Sequence, residues 1–441
     1  MLNCYNMFAI LTIYLLFVKA ESQVIKWNKV ASYIHTVDMG CGYGGGCTES
    51  EQKRNIGING GYASADGASV ADCMSTCTAD SDCGGFNYQK TPTNKCWYRV
   101  SPKCSTEARN DRDCYERETR PTGRASHSSV VYDNKMIVFG GHDGSNFRND
   151  VWEFQLDTSE WSAVTTSGTN IPPRNNHEAV VFGDKMIVFG GATGAGRAAD
   201  SNALFTLDLK TYVWSQIPNS GTWPEKVCQH SSIVYGDKMI VFGGIGPSGM
   251  FDGDDVWSLD MNSYQWQKLT TSGQEKPSER YAHSSIFYNN KMFVFSGETS
   301  GGKADNTVWV LNLQTNAWQK LVTTGNGPTP RSQHVSISYS HYMVVIFGED
   351  TSGTRKNDIY SLNLNTNVWS QVTISGSNGT PSARGYFSVV TYSDTMLLYG
   401  GSGHEKDIWK ADKLMSTLIP LPNINMCDVK VSESGQIIYG C

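Results

Sequence analysis

The chain repeats one sequence unit six times, and this repetition constrains its fold more than any single motif. Residues 124–141 read RASHSSVVYDNKMIVFGG, and residues 174–191 read RNNHEAVVFGDKMIVFGG. Aligned on the glycine pair that ends this stretch, the copies follow one another at intervals of 50 to 53 residues. The aligned pairs are Gly140-Gly141, Gly190-Gly191, Gly243-Gly244, Ser296-Gly297, Gly348-Glu349 and Gly400-Gly401. Such a period predicts copies of one supersecondary unit that stack on their neighbours.

Two further features recur at fixed positions in the repeats. An Arg-x-x-His element opens four of them, at Arg124/His127, Arg174/His177, Arg280/His283 and Arg331/His334. The third copy has Val227 in the arginine position but keeps His230, and the sixth keeps Arg384 but has Phe387 in the histidine position. An aromatic residue follows the loop after each glycine pair, at Trp152, Phe205, Trp257, Trp309, Tyr360 and Trp409. A second tryptophan stands about nine residues later in five copies, at Trp161, Trp214, Trp266, Trp318 and Trp369.

Each copy contains four short apolar runs rich in Val, Ile, Tyr and Trp, which predict four strands. In the first copy these runs lie at about 127–132, 136–140, 151–156 and 161–165. Four antiparallel strands repeated around an axis form a β-propeller blade. The pattern resembles the kelch repeat over residues 124–423. We therefore predict an all-β, six-bladed kelch-type β-propeller whose glycines allow close backbone approach and whose aromatic residues pack between blades.

The sixth copy is short of a fourth strand, and a strand from the N-terminal segment 21–36 is expected to complete it. Trp27-Asn28-Lys29-Val30 matches Trp266-Gln267-Lys268-Leu269 and Trp369-Ser370-Gln371-Val372. The alternative is a local strand at about 415–421. The tail at 424–441 is predicted to form a hairpin with a disulfide between Cys427 and Cys441.

The first twenty residues contain an apolar run from Met7 to Val18 that is too short to cross a bilayer as a helix. Small or β-branched residues at Val18 and Ala20 favour cleavage after Ala20, so we predict a signal peptide at 1–20. An uncleaved anchor is the alternative. Eight cysteines between residues 41 and 114 also favour an oxidising compartment. We expect a secreted, extracellular protein.

The cysteine-rich segment at 40–116 has the spacing Cys73-x3-Cys77-x5-Cys83-x2-Phe86-x-Tyr88 followed by Cys96. This spacing resembles the PAN/Apple family and implies a small disulfide-rich α+β domain that binds proteins or carbohydrates. The resemblance implies the pairs Cys73–Cys96 and Cys77–Cys83 and a bridge between the domain's ends, here Cys47–Cys114. Cys41 and Cys104 would then form a fourth bridge, which the family pattern does not require. A linker at 117–123 would lead to the first repeat.

The formal net charge is −6, from 42 acidic and 36 basic residues. Nucleic-acid-binding domains are usually clearly basic, so no nucleic-acid partner is expected. No later apolar stretch is long enough for a membrane span, and we expect a monomer without a cofactor. Asn378 is the one Asn-x-Ser/Thr position and a candidate for glycosylation.

The histidines at the repeat starts would stand in a ring, which could hold a metal. Because they occupy equivalent positions, a repeated structural role is the simpler interpretation. Of the eleven cysteines outside the signal segment, Cys228 is left without a predicted partner and is expected to be a free thiol. It invites comparison with galactose-oxidase-like copper enzymes, which also use kelch blades and contain a Cys–Tyr crosslink. The simpler interpretation is a buried apolar cysteine.

Loops after the glycine pairs are expected to open on the same face as the repeat starts. Five of the six carry a cation, and the candidate ligand-binding residues are Arg148, Arg197, Lys303, Arg355, Lys356 and Lys406. The third loop carries Asp252, Asp254 and Asp255 instead. The sequence thus predicts a cationic rim with one acidic notch that could steer an anionic glycan or an acidic protein.

These features favour a secreted recognition or adhesion protein that binds a protein or carbohydrate ligand through the propeller loops and the PAN/Apple domain. The alternative is a secreted kelch-type enzyme, either a copper oxidase or a sugar-modifying enzyme, that uses the central pocket. Nucleophile-elbow, HExxH and phosphate-loop motifs are absent from the sequence.

Overall fold

The computed structural model describes residues 24–29, 85–89, 95–99, 112–116, 120–195, 200–247, 249–250, 255–302, 305–376, 379–403, 406–412, 428–431 and 437–440. All regular secondary structure in these ranges is β-strand. The contacts divide the chain into two compact units. One comprises residues 1–31, 122–157 and 164–441, and the other comprises residues 32–121 and 158–163. The predicted signal segment, Arg197, Lys303, Asp252, Asp254, Asn378 and the cysteines other than Cys96, Cys114 and Cys228 lie outside the described residues.

The repeats, numbered 1 to 6 along the chain, share one strand pattern. First strands are Ser128–Tyr132, Glu178–Phe182, Ser231–Tyr235, Ser284–Tyr288, Val335–Tyr339 and Ser388–Tyr392. Second strands are Lys135–Phe139, Lys185–Phe189, Lys238–Phe242, Lys291–Phe295, Tyr342–Asp350 and Thr395–Tyr399. Third strands are Val151–Gln155, Leu204–Asp208, Val256–Asp260, Val308–Asn312, Arg355–Asn363 and Ile408–Asp412. Fourth strands of repeats 1 to 5 are Trp161–Val164, Val213–Ile217, Trp266–Leu269, Ala317–Leu321 and Val368–Ser375.

Within a repeat, consecutive strands pair antiparallel. In repeat 2, Glu178–Phe182, Lys185–Phe189, Leu204–Asp208 and Val213–Ile217 pair in that order. The second strand has a neighbour on both edges and another repeat on each face, which explains its nearly continuous apolar sequence KMIVF. Its residues Met186 to Phe189 are fully buried. The described loops of the repeats also contain seven two-residue strands. These are Ser167–Gly168, Ile245–Gly246, Gly249–Met250, Arg280–Tyr281, Glu298–Thr299, Thr324–Gly325 and Arg331–Ser332.

Aromatic pairs join neighbouring repeats, as the sequence predicts. A fourth-strand tryptophan of one repeat packs on the phenylalanine that ends the second strand of the preceding repeat. Ring centroids are 5.0 Å apart for Trp214 and Phe139, 4.6 Å for Trp266 and Phe189, 5.1 Å for Trp318 and Phe242, and 5.4 Å for Trp369 and Phe295. Apolar clusters therefore form between repeats rather than inside one, and each repeat depends on its neighbours for a core. The arrangement is that of a β-propeller.

The N-terminal strand Val24–Lys29 lies at the edge of repeat 6. Its residues 27–29 pair antiparallel with the third strand of repeat 6, with Trp27 opposite Ala411. Its residues 24–26 pair in parallel with the fourth strand of repeat 5. Trp27 is fully buried, with its ring centroid 6.4 Å from that of Phe347 in repeat 5. Trp27 thus packs on repeat 5 as the other fourth-strand tryptophans pack on the preceding repeat. Its partner Phe347 follows Ile346, the counterpart of Phe295. Phe347 and Gly348 hold the glycine-pair position of repeat 5, one residue before the aligned Gly348-Glu349. The alternative strand at 415–421 lies outside the described residues.

The second unit contains a three-stranded antiparallel sheet in which Gly85–Gln89 is central between Lys95–Arg99 and Arg112–Glu116. Cys96 is paired with Tyr88 and Cys114 with Asn87 along the backbone. Near the C-terminus, Asp428–Val431 and Ile437–Gly440 pair antiparallel as a hairpin.

Candidate functional site

Six residues, one from each repeat, form a closed ring of backbone hydrogen bonds. We call this set the axial ring: Ser126, Asn176, Gln229, Ala282, Gln333 and Tyr386. Each residue directly precedes the histidine position of its repeat, and its N–H donates to the carbonyl of the equivalent residue in the preceding repeat. The N···O distances run from 2.8 Å, between Ser126 and Tyr386, to 3.1 Å, between Tyr386 and Gln333. The last repeat is thus bonded to the first.

All six ring residues have a left-handed backbone, with φ between 51° and 58°. This conformation is uncommon for residues other than glycine, so the surrounding structure must impose it. The ring fixes the backbone at each position and leaves the side chain free to differ. The six side chains are indeed five different types, and they surround a cavity of about 130 Å³. We call it the axial cavity.

Buried arginine side chains bind the backbone of the repeats that carry the ring residues. Five repeats open with an arginine of 0–1% exposure: Arg124, Arg174, Arg280, Arg331 and Arg384. Each donates through Nη1 to the carbonyl sixteen residues later, at the end of its own second strand. Four also pair with a carboxylate of the loop before the third strand, namely Arg124 with Asp150, Arg280 with Asp305, Arg331 with Asp358 and Arg384 with Asp407. The side chains of these arginines therefore make their hydrogen bonds inside their own repeats.

The histidines connect neighbouring repeats through serine hydroxyls. His127 Nε2 lies 2.7 Å from Ser388 Oγ, and His177 Nε2 lies 2.9 Å from Ser128 Oγ. His283 and His334 make the same contact with Ser231 and Ser284. Burial and the nearby Arg124 guanidinium together lower the pKa of His127 to about 3. These histidines are therefore neutral structural groups at neutral pH.

Repeat 2 breaks this pattern at the position that follows the histidine. Ser128, Ser231, Ser284 and Ser388 occupy it elsewhere, whereas repeat 2 has Glu178 and repeat 5 has Val335. The Glu178 carboxylate accepts a hydrogen bond from Ser232 Oγ at 3.1 Å and does not pair with the histidine of repeat 3. That histidine, His230, is 3% exposed, and neither ring nitrogen has a hydrogen-bond partner in the described part of the chain. Burial raises the pKa of Glu178 to about 8.

Tyr386 crosses the mouth of the axial cavity. Its phenol oxygen accepts a hydrogen bond from Gln229 Nε2 at 3.2 Å, which links repeat 6 to repeat 3. Burial raises the pKa of Tyr386 to about 12, and the carboxylates of Glu298 and Glu349 act in the same direction. Glu298 accepts hydrogen bonds from the hydroxyls of Tyr281 and Ser332. The mouth is thus polar and acidic.

Several cations of the predicted cationic rim are paired with carboxylates in the described loops. Arg148 pairs with Asp143, Lys356 Nζ lies 2.6 Å from Asp350, and Arg355 Nε lies 3.9 Å from Glu349. Lys406 is exposed. Asp255 of the predicted acidic notch pairs with Lys268 at 2.6 Å. Charge pairing within the loops reduces the positive field that the isolated cations would produce.

Cys228 is buried, and its backbone pairs with Ile245 beside the axial ring. The structure records no disulfide at this residue within the described ranges. In those same ranges, no group of three or more His, Cys, Asp or Glu side chains is arranged to hold a metal ion.

The axial ring and Glu178 were not singled out from the sequence. Both occupy columns of the repeat alignment on either side of the histidine, and the ring column varies from alanine to tyrosine. The sequence does show that glutamate replaces serine at a position where four other repeats have serine, and this difference could have pointed to Glu178. Its meaning depends on His230 in the next repeat, which only the packing shows.

Comparison with known proteins agrees with the geometry. A β-propeller of stacked four-stranded repeats with glycine pairs and inter-repeat tryptophans is the kelch architecture. Residues 83–287 and 235–417 match the KLHDC2/KLHL20/DRC7 Kelch-repeats domain, and the chain belongs to this family of kelch-repeat proteins.

Several characterised proteins are similar to this chain. Leucine-zipper-like transcriptional regulator 1 homolog of Drosophila melanogaster is 28% identical over 63% of this chain and 29% of its own length. Kelch domain-containing protein 10 of Bos taurus is 30% identical over 50% of this chain and 51% of its own. Acyl-CoA-binding domain-containing protein 5 of Arabidopsis thaliana is 29% identical over 74% of this chain and 48% of its own. The chain thus spans less than a third of the first relative and about half of the other two. No helix in the described part of the chain is long and apolar enough to cross a membrane.

Proposed function

We propose that this protein is a non-catalytic recognition protein that binds a protein ligand at the axial ring. The observation that carries the proposal is the contrast between backbone and side chains in the ring. Six left-handed residues make the same hydrogen bond, yet their side chains are Ser, Asn, Gln, Ala, Gln and Tyr. Variation on a fixed backbone at the mouth of a cavity is what a binding surface requires.

The family match supports protein binding, because kelch domains mediate protein interactions. Protein interfaces are enriched in tyrosine and contain polar groups that fix orientation. Tyr386 and the amides of Asn176, Gln229 and Gln333 supply both at one mouth. The relatives are longer proteins, and the chain corresponds to about half of their length or less.

The repeat histidines give no support to the enzymatic alternative. A general base must reach a reacting group and titrate near the working pH. Burial holds the pKa of His230 and of His334 at about 3, and four of the five repeat histidines contact serine hydroxyls between repeats. These side chains support the scaffold and leave the ring side chains to contact a ligand.

The proposal includes the finer architecture. Repeats 1 to 6 act as six blades of one closed propeller, with the N-terminal strand as the fourth strand of the last blade. The unit before residue 121 is proposed to be a PAN/Apple domain with the disulfides inferred from its cysteine spacing, in a secreted protein. It would supply a second contact to the same ligand or to a carbohydrate.

A selection experiment tests the proposal. The full chain, expressed by a secretory host, would be used to select peptides from a random display library, with a glycan array run in parallel. Ala282→Tyr would narrow the mouth, and the backbone tolerates tyrosine because Tyr386 adopts the same φ in repeat 6. Gln314→Tyr, in an exposed turn between the third and fourth strands, is the matched control.

We expect selected peptides to bind wild type and Gln314→Tyr equally and to lose most of their affinity for Ala282→Tyr. Peptides that bind all three proteins alike would contradict a site at the axial ring. Capture of glycans alone would contradict a protein ligand.

A further inference from the structure

The axial cavity contains hydrogen-bond acceptors that lack donors. Gln333 Oε1 is buried and has no partner in the described part of the chain. His230 has two unpartnered ring nitrogens, and the neutral ring offers one lone pair as an acceptor. The Glu178 carboxylate has four acceptor positions when ionised, and Ser232 donates to one of its oxygens. Acceptors from repeats 2, 3 and 5 therefore line one small space, together with the unpartnered Nδ1 atoms of His127, His177, His283 and His334.

The charge in this space is one-sided. Glu178 is the one Asp, Glu, Lys or Arg residue in the cavity lining. The lining histidines are neutral because burial lowers the pKa of each to about 3 or well below its usual range. No ion-pair partner of Glu178 is present in the described ranges. Ionisation of an unpaired carboxyl in a partly buried site is costly, and a cationic ligand would stabilise the ionised form.

We propose that the axial cavity binds the primary ammonium group of a lysine side chain from the protein ligand, with Glu178 as its ion-pair acceptor. His230 and Gln333 accept the remaining hydrogen bonds. This inference rests on the proposed function, because it names the chemistry that the same site recognises.

Size and donor number favour an ammonium group. A cavity of about 130 Å³ is small, which suits a compact head group. An ammonium group has three donors in a compact head, whereas a guanidinium spreads five donors over a rigid plane. A calcium ion takes six to eight oxygen ligands, and this lining offers one carboxylate.

The mouth of the cavity also favours a cationic group. The carboxylates of Glu298 and Glu349 lie close enough to Tyr386 to raise its pKa. Glu298 is hydrogen-bonded by hydroxyls and has no cation beside it in the described ranges. A lysine entering the mouth must displace the hydrogen bond between Gln229 and Tyr386. The mouth therefore attracts a cation and opens at one identifiable contact.

Binding would be linked to proton release. The titratable groups around Glu178 in the lining are His127, His177, His230, His283, His334 and Tyr386. The histidines remain neutral between pH 6 and pH 8, and burial raises the pKa of Tyr386 to about 12. Glu178 is the lining group whose pKa lies near this range, at about 8. An arriving ammonium group would ionise it, so binding at pH 7 should release about one proton.

The direct test is isothermal titration of the full chain with Nα-acetyl-lysine methylamide in two buffers of different ionisation enthalpy. The neutral Nε-acetyl derivative and the arginine analogue serve as ligand controls. Glu178→Ser restores the residue of four other repeats and gives His230 a hydroxyl partner, so this variant should fold. Glu178→Gln keeps the side-chain size, and Glu225→Gln removes an exposed carboxylate outside the lining.

We expect one-to-one binding of the lysine probe with proton release, and binding at least about tenfold weaker to Glu178→Ser and Glu178→Gln. Glu225→Gln should bind as wild type does. Equal binding by wild type and Glu178→Ser, or no saturable binding of the lysine probe, would overturn the inference.

The selected peptides separate this failure from failure of the proposed function. Peptides that bind at the mouth with no lysine enrichment, and that bind Glu178→Ser as well as wild type, would overturn the lysine assignment while the proposed function stands. Binding of the lysine probe without capture of any peptide would support the cavity chemistry and overturn protein recognition.

Discussion

The backbone N–H of Ser126 donates to the carbonyl of Tyr386 at 2.8 Å, and this bond joins the first repeat to the sixth. The two residues are separated by most of the repeat region, so the bond forms only when all the intervening repeats are stacked. Formation of such non-local contacts comes at a loop-closure cost that local pairing does not have. The axial cavity exists because this closure occurs, and its recognition chemistry depends on the whole ring.

The N-terminal strand should contribute strongly to stability. Trp27 is fully buried between repeats 5 and 6, so Trp27→Ala should lower the free energy of unfolding by about 3–5 kcal/mol. Urea denaturation of the variant measures this change. Lys26→Ala, at an exposed position of the same strand, is the control. A loss below about 1 kcal/mol for Trp27→Ala would contradict a structural role for this strand.

The second glycine of each pair is required by close backbone approach. A Cβ on Gly141, which has a φ of 94°, would lie 2.8 Å from the Ala125 carbonyl oxygen and 2.8 Å from His127 Cβ. Gly183 also has a positive φ, 58°, but a Cβ there would meet nothing within 4 Å.

Gly183→Ala should therefore show only the conformational cost of about 1–2 kcal/mol, whereas Gly141→Ala should lose clearly more. Thermal unfolding of both variants provides the comparison. Equal losses would mean that backbone conformation alone selects glycine at these positions.

The buried arginine–aspartate pairs should matter far more than exposed ones. Asp358→Asn removes the charge opposite Arg331, whose side chain is fully buried, and should lower the free energy of unfolding by about 3 kcal/mol or more. Lys210 and Asp184 form an exposed pair, and Lys210→Ala should leave the stability unchanged. Similar effects in the two variants on urea denaturation would argue against the pairs as supports of the ring.

Stability should fall in mild acid because five buried histidines are neutral in the folded state. The folded pKa of His127, for example, is about 3 against an ordinary value of 6.5. The unfolded chain therefore takes up protons first as the pH falls below 6.5, and stability present above that pH is lost. At pH 5.5 each such histidine removes about 1.4 kcal/mol. Urea midpoints measured from pH 7.5 to pH 5 should fall steeply, and a flat profile would contradict this account.

Glu178 should change the stability with pH in the opposite direction to the histidines. Its folded pKa is about 8 and its ordinary value is 4.5, so the folded protein holds this proton more tightly. The stabilisation is present below pH 4.5 and is lost as the pH rises toward 8. Glu178→Gln should therefore be more stable than wild type at pH 8.5 and show less loss between pH 6 and pH 8.5. A wild-type profile that is unchanged by the substitution would contradict the raised pKa.

Repetition made the scaffold predictable from sequence. Each repeat packs against similar neighbours, so the glycine pairs, the opening arginines and the fourth-strand tryptophans recur. A role inferred for a residue in one repeat therefore applies to the equivalent residue in the next. Trp27 illustrates this, since its match to Trp266 suggested a strand position that the pairing with Ala411 occupies.

The site was less predictable because it depends on contacts between repeats and within loops. Arg148 reads as a free cation in the sequence, whereas the folded loop brings Asp143 to it. Glu178 reads as one polar residue among many, and its significance comes from the unpartnered His230 and the cavity between them. Tyr386 reads as a strand aromatic, whereas a left-handed backbone turns it across the mouth toward Gln229.

The most direct test of the central claim is the affinity of a selected peptide for wild type and for the double variant Asn176→Ala, Gln333→Ala. Gln314→Ala, Asn365→Ala removes amides from exposed turns between third and fourth strands and is the control. The axial ring predicts binding at least about tenfold weaker for the first double variant and unchanged for the second. Unchanged binding to the first, or weakened binding to the second, would contradict recognition at the axial ring.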